Sequence, residues 1–398
     1  MSERGLLVCV LVGVMILSVF AATGINAAPQ SKAQWRYLLY LDADNSLDVS
    51  AGPHHEPVVQ SDFDELMSVG STKDVVVYVF VDRLAGPANL FKVNKGSMTE
   101  LKDFALDGVE VDMGDPATLR SFVAYAFKAT PAEKTLLMFW DHGSPEYAAW
   151  DDNPGDALTH IEITQALEGY HVDVIGTDEC LVGQLEVPYQ YLSMNVDTQY
   201  MLASETYTGW RGYPYDATLA RMVSNPAMSP RDMSVMFVEE TQKLLGQNPY
   251  QGEEVTCHGA VDMSKVRGLQ SSFIGLADLL MTDMKANSPI ISKARAGACF
   301  SYGGNAINVV DLVTFIELVA KNSHSKAVRD ACANAVSAFQ ETLIALQTTQ
   351  TLDHQIHGLG IVFPNHSWET PDYYWSYSFM TDGWQEFLES YWAAAGSV

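Results

Sequence analysis

The sequence predicts an α/β protein, a mostly parallel sheet flanked by helices with a helical C-terminal extension. Three observations carry that prediction. Apolar, strand-like segments alternate with amphipathic helical ones from Trp35 to Ala203, the order that produces crossovers and parallel pairing. Two of these segments, Val75 to Val81 and Leu136 to Trp140, are continuous apolar runs, the mark of strands covered on both faces. Beyond Tyr215 the periodicity becomes mainly helical.

In chain order, Trp35 to Leu41 reads as a strand that runs into Asp42-Ala43-Asp44-Asn45, and Asp62 to Val69 as a helix. After the strand Val75–Val81, Phe91 to Val93 and Thr99 to Phe104 form a hairpin around Asn94 to Ser97. Pro116 to Lys128 is a helix with proline in its first turn. Leu136 to Trp140 is the next strand, Ile161 to Leu167 a helix, Val172 to Ile175 a strand, Leu185 to Leu192 a helix and Tyr200 to Ala203 a strand. The later helices are predicted over Asp216–Met222, Ser229–Leu245, Ser264–Met284, Lys326–Gln347 and Trp384–Trp392. Glu254 to Val261 and Gly358 to Phe363 read as strands added to the same sheet. The chain thus divides into residues 1–28, a core over 29–215 and a helical part over 216–398.

At 398 residues and 47% hydrophobic the chain can bury a sizeable core. Its 49 acids against 23 bases give a formal charge of −26, which disfavours nucleic acid and anionic membranes as partners. Glu3 and Arg4 precede an uncharged apolar stretch from Gly5 to Ile25, followed by Asn26-Ala27-Ala28 and Pro29. That order predicts a secretory signal peptide or an uncleaved N-terminal anchor, and so a secreted or extracytoplasmic protein with no other membrane association. Cys9 lies in this stretch; Cys180, Cys257, Cys299 and Cys332 are widely spaced, which excludes a cysteine-based zinc site. Nothing in the pattern speaks to oligomeric state.

In open parallel sheets chemistry gathers beyond the carboxyl ends of the strands, and two strand ends carry reactive residues. Leu136 to Trp140 runs into Asp141-His142-Gly143-Ser144, and Val172 to Gly176 into Thr177-Asp178-Glu179-Cys180. One helix joins the two strands, so they can be sheet neighbours, with His142 and Cys180 facing across one crevice. That is the arrangement thiol nucleophilic catalysis needs. Cys180 is expected just before a helix, whose N-terminus would lower its pKa and help bind an oxyanion. Against this stands the ordinary reading, a small core cysteine and an unrelated histidine. The other His-Gly pairs, His258-Gly259 and His357-Gly358, lack an apolar strand running into a polar loop.

These segments resemble the clostripain family of cysteine peptidases, relatives of caspases, gingipains and legumain. The likeness rests on Asp141-His142-Gly143 after its strand and on Asp178-Glu179-Cys180-Leu181 through Glu186. Tyr40 to Leu47, Ala203-Ser204-Glu205 and Gly360 to Pro364 support it. The resemblance implies a caspase-like fold and an endopeptidase acting on peptide or protein substrates. In it Cys180 is the nucleophile, His142 its general acid partner, and the amides of Gly143 and Cys180 the oxyanion hole. It implies that Asp178 lies in the primary specificity pocket, where a carboxylate selects Arg or Lys; the alternative is a helix N-cap. Glu205 either lines the far side of that pocket or caps a turn, and Glu186 bonds a loop.

Two departures bear on function. Relatives place an acid in a Gly-acid-Gly-aromatic turn where this chain has Gly209-Trp210-Arg211-Gly212-Tyr213. Arg211 pointing into the pocket would neutralise Asp178 and favour acidic or neutral substrates. Relatives are also cut between the dyad residues after a basic residue, yet no Lys or Arg occurs from His142 to Trp210, which excludes such self-cleavage there. The resemblance brings calcium as a possible cofactor, for which Asp151-Asp152-Asn153-Pro154-Gly155-Asp156 offers oxygen ligands without EF-hand spacing; the alternative is a solvated acidic turn. The rival reading of the whole chain is a relative with altered, non-basic specificity or a binding role.

Overall fold

The computed structural model describes residues 32–49, 58–247, 256–302, 305–349 and 356–396; the predicted export segment lies outside them. The strands are β1 (Ala33–Ala43), β2 (Val75–Arg83), β3 (Asn89–Asn94), β4 (Ser97–Glu100), β5 (Ala132–Trp140), β6 (Tyr147–Asp151) and β7 (Asp156–Thr159), then β8 (Val174–Asp178), β9 (Tyr200–Ser204), β10 (Cys257–Asp262), β11 (Cys299–Tyr302), β12 (Asn305–Asp311), β13 (Leu343–Thr348) and β14 (Gly360–Val362). The helices are α1 (Val58–Val69), α2 (Pro116–Ala129), α3 (His160–Ala166), α4 (Glu186–Ser193), α5 (Tyr215–Ser224) and α6 (Pro230–Gln247), then α7 (Met263–Met281), α8 (Met284–Ala298), α9 (Leu312–Asn322), α10 (Lys326–Thr342) and α11 (Gln385–Ala395).

The main sheet has the order β13-β10-β9-β8-β5-β1-β2-β3-β4. Its five central strands, β9 to β2, are parallel, and antiparallel strands close both edges. The apolar runs explain this placement. In β5, Leu137 and Phe139 enter the core on one face while Leu136, Met138 and Trp140 enter the core on the other. The first core is covered by α2, α3, α4, α7 and α10, the second by α1, α5 and α6. Helix starts follow local chemistry: Asp115 caps α2 with Pro116 next to it, and Thr159 and Glu162 form a capping box on α3.

Several boundaries differ from the sequence expectation. The hairpin strand predicted from Thr99 to Phe104 is β4, ending at Glu100. The helix predicted through Met284 ends at Met281, and Asp283 caps a new helix, α8, which the periodicity had not separated. The helix predicted through Gln347 stops at Thr342, because Leu343–Thr348 pairs antiparallel with β10; distant pairing overrides local propensity. The segment predicted from Gly358 to Phe363 does not join the main sheet. Its β14 pairs with β12 in a three-stranded sheet, β11-β12-β14.

Glu186, expected to bond a loop, instead ties α4 to strand β14 of that second sheet. It is buried, and its Oε1 accepts the Val362 amide at 2.8 Å and the Tyr374 hydroxyl at 2.5 Å. Glu186→Ala strands a buried amide and is expected to lower unfolding stability by about 2 kcal/mol in urea titrations.

Candidate active site

β5 and β8 are hydrogen-bonded neighbours, with Trp140 opposite Asp178. His142 and Cys180 each follow two residues later, so both emerge at the same level beyond the sheet. The loops touch. A Cβ on Gly143 would stand 2.6 Å from Glu179 Cβ and 2.9 Å from the Cys180 carbonyl oxygen, so only glycine fits there. His142, Cys180 and Asp178 line one cavity of about 270 Å³, with Thr208, Trp210 and Gly212 on its wall. Among the described residues neither the Gly143 nor the Cys180 amide donates a hydrogen bond, so both are available to an oxyanion.

The histidine is held from the end of β1. Ser46 Oγ lies 2.9 Å from His142 Nε2. Asn45 Nδ2 donates to Asp141 Oδ1 at 2.6 Å, and the Asp141 carboxylate also accepts the amides of His142 and Trp150. Burial lowers the His142 pKa, against a smaller opposing effect of Asp152.

Cys180 differs from expectation in its setting. α4 begins only at Glu186. Leu181 takes a left-handed φ of 65°, and residues 181–183 run beside β9, with Leu181 N–H donating to Thr206 O and Gly183 N–H to Ser204 O. No helix N-terminus therefore faces the sulfur. Burial pushes the thiol up to about 11, a backbone hydrogen bond at Thr208 pulls it down, and Asp178 and Asp141 add to the rise; the protonated thiol lies 3.9 Å from the Thr208 carbonyl oxygen.

Asp178 is buried at the cavity base rather than capping a helix. Its Oδ2 accepts the Tyr213 amide at 3.0 Å and the Tyr215 hydroxyl at 2.8 Å, while Oδ1 has no partner. Burial raises its pKa to about 6 against those two bonds. Gly212, at φ 54°, must lack a side chain because a Cβ would meet Asp178 Oδ2 at 2.4 Å.

Two residues read from the sequence as substrate-binding do not line the cavity. Glu205 is fully buried behind it, accepting the Gly358 amide at 2.6 Å with the Cys257 thiol 3.8 Å away. Its strand turns it into the core instead of the cleft. Arg211 lies between two lining residues without lining the cavity itself; its charge acts on Glu65, whose pKa it lowers, and is not among the influences on Asp178. The sequence missed Ser46, Asn45 and Thr208; the first two lay in the Tyr40–Leu47 segment, quoted only as a likeness.

The loop 151–156 is the turn of the β6–β7 hairpin, and its carboxylates are spent on the backbone. Asp151 accepts the amides of Met113 and Asn153, Asp156 that of Ala157, and Asp152 the Trp150 indole. Among the described residues no three His, Cys, Asp or Glu side chains assemble into a metal site.

A family model described as the Clostripain family matches residues 39–392. The chain belongs to the clostripain family. It is 24% identical over 322 residues to clostripain of Hathewaya histolytica, covering 67% of this chain and 60% of that protein; it spans less than two thirds of the length of this curated relative. Its fold is that of an inactive zymogen C11 protease from Parabacteroides distasonis, with TM-score 0.67, 15% identity and coverage of 89% and 99% of the two chains. It also matches a secreted C11 cysteine protease from Bacteroides thetaiotaomicron in complex with an irreversible peptide inhibitor (TM-score 0.63, 17% identity, 91% and 99% coverage).

This clostripain-family chain keeps several acids against their own hydration. Besides Asp178, burial raises Asp151 to about 6 and Asp82, Glu65 and Glu186 to about 7. Unfolded, these groups titrate near pH 4, so the folded chain binds more protons between about pH 4.5 and 7 and loses stability as pH rises through that window. The melting temperature is expected to fall from about pH 5 to about pH 7.5 in scanning calorimetry.

Proposed function

We propose that the protein is a cysteine endopeptidase that hydrolyses peptide bonds with Cys180 and His142. The observation that carries this is their emergence from paired strands into one cavity, with the amide of Cys180 on its lining and that of Gly143 next to His142 both uncommitted. With the thiol raised and the imidazole lowered, the resting pair is neutral. His142 takes the thiol proton as Sγ attacks the scissile carbonyl carbon, and the two amides receive the oxyanion, each contributing about 3 kcal/mol. The imidazolium then gives its proton to the leaving amine as the C–N bond breaks. Water, deprotonated by His142, hydrolyses the thioester and restores the thiol.

Asp178 gives the reading its substrate class, peptides with Arg or Lys before the scissile bond. Asp178 lines the cavity and its buried Oδ1 has no partner, an acceptor left for a cationic side chain, and Arg211 is not among the charges acting on it. Catalysis is assigned to the core over 29–215. The apolar stretch Gly5–Ile25 supports export, and among the described residues no helix is long and apolar enough to cross a membrane.

Fluorogenic peptides with Arg, Lys, Asp or Ala before the scissile bond test this. Cys180→Ala is expected to abolish turnover of all of them. Asp178→Asn is expected to cut kcat/KM on Arg and Lys substrates by about 100-fold while sparing Ala. In the wild type that preference should strengthen as pH rises through about 6, where Asp178 ionises. Turnover of Asp or Ala peptides alone would refute the basic specificity.

A further inference from the structure

The mechanism above uses one nitrogen of His142 and leaves the other unassigned. Nε2 lies 2.9 Å from Ser46 Oγ, which leaves Nδ1 for the role in that mechanism. Ser46 is itself exposed, but its backbone is not free to wander. It opens a turn over Ser46–Asp48, capped by Asn45, whose Oδ1 accepts the Leu47 amide at 2.9 Å. Asn45 is 2% exposed and bonds both Asp141 Oδ1 and, at 3.2 Å, the Trp150 carbonyl. Asp141 in turn accepts the His142 amide at 2.5 Å. Buried bonds therefore tie the turn that carries the serine to the loop that carries the imidazole.

A neutral imidazole acting as base must present a lone pair to the thiol, and the bond made by its other nitrogen decides which tautomer is present. We propose that Ser46 is a positioning residue of the dyad: its hydroxyl oxygen accepts the Nε2–H of His142 and so leaves the Nδ1 lone pair for the Cys180 thiol. This rests on the peptidase reading above. When Nδ1 receives the thiol proton, the same Nε2–H···Oγ bond becomes charge-assisted and strengthens, so Ser46 favours the imidazolium only as it forms. Of the titratable groups in the adjoining loops, Asp152 is the charge that raises His142, while Asp141, Glu179 and Cys180 act on Tyr147 of the β6–β7 hairpin. Among the described residues the hydrogen-bond partner of Nε2 is the serine hydroxyl.

The test is steady-state kinetics from pH 4.5 to 9 on the full chain, comparing wild type with Ser46→Ala, Ser46→Gly and Ser46→Thr, with Cys180→Ala and His142→Ala alongside. Removing the hydroxyl is expected to lower kcat about 10-fold or more with KM changed less than about twofold. The acid limb of the kcat profile, which reports His142 becoming neutral, should move down by about half to one pH unit, because the imidazolium has lost its acceptor. Ser46→Thr should restore both, and thermal melts should stay level. Ala and Gly variants with wild-type kcat and limb, beside inactive Cys180→Ala and His142→Ala, would overturn the role of Ser46 and leave the peptidase reading standing. A lowered kcat with an unmoved limb, or no rescue by threonine, would reduce Ser46 to loop structure and equally overturn it. An active Cys180→Ala would overturn the peptidase reading itself.

Discussion

The register between β5 and β8 is the constraint on which the site depends. With Trp140 opposite Asp178, the residues two places further along both chains reach the same edge of the sheet. A slip of one residue would send one reactive side chain to the opposite face. Such a slip is resisted by the cores, since alternate residues of β5 are committed to different ones. Gly143 completes the arrangement by letting the two loops approach to within backbone contact. The reactive geometry is thus enforced by packing that lies beneath it.

Burial also governs the charge state of the centre. It raises the Cys180 thiol and the Asp178 and Asp141 carboxyls and lowers the His142 imidazole. Every one of these shifts favours the neutral form. What distinguishes the residues is how far hydrogen bonds oppose burial. Asp141 is enclosed by three N–H donors and serves as scaffold. Asp178 has two donors on one oxygen and none on the other, the state of a group with bonding capacity left for a ligand.

The sheet was legible because its central strands are apolar on both faces, a pattern that a short polar-faced strand or an amphipathic helix does not share. Leu343–Thr348 was not, since no breaker separates it from α10 and its pairing with β10 spans a long loop of chain. The convergence of His142 and Cys180 on one cavity was legible because each follows a recognisable strand. The surroundings of Cys180 were not, as the left-handed turn at Leu181 and its bonds to the end of β9 leave no local trace. Ser46 and His142 are separated by 96 positions, a contact that only folding reveals. Glu205 shows the converse: a charged residue at a strand end looks like a site component until its burial against Gly358 and Cys257 is known.

The raised thiol of Cys180 also bears on its reactivity toward oxidants. Thiolates, rather than thiols, react with peroxides, and sulfur chemistry follows the fraction ionised. A sulfur whose ionisation burial opposes offers oxidants little thiolate. The fraction of Cys180 able to enter sulfenic acid formation at neutral pH is correspondingly small.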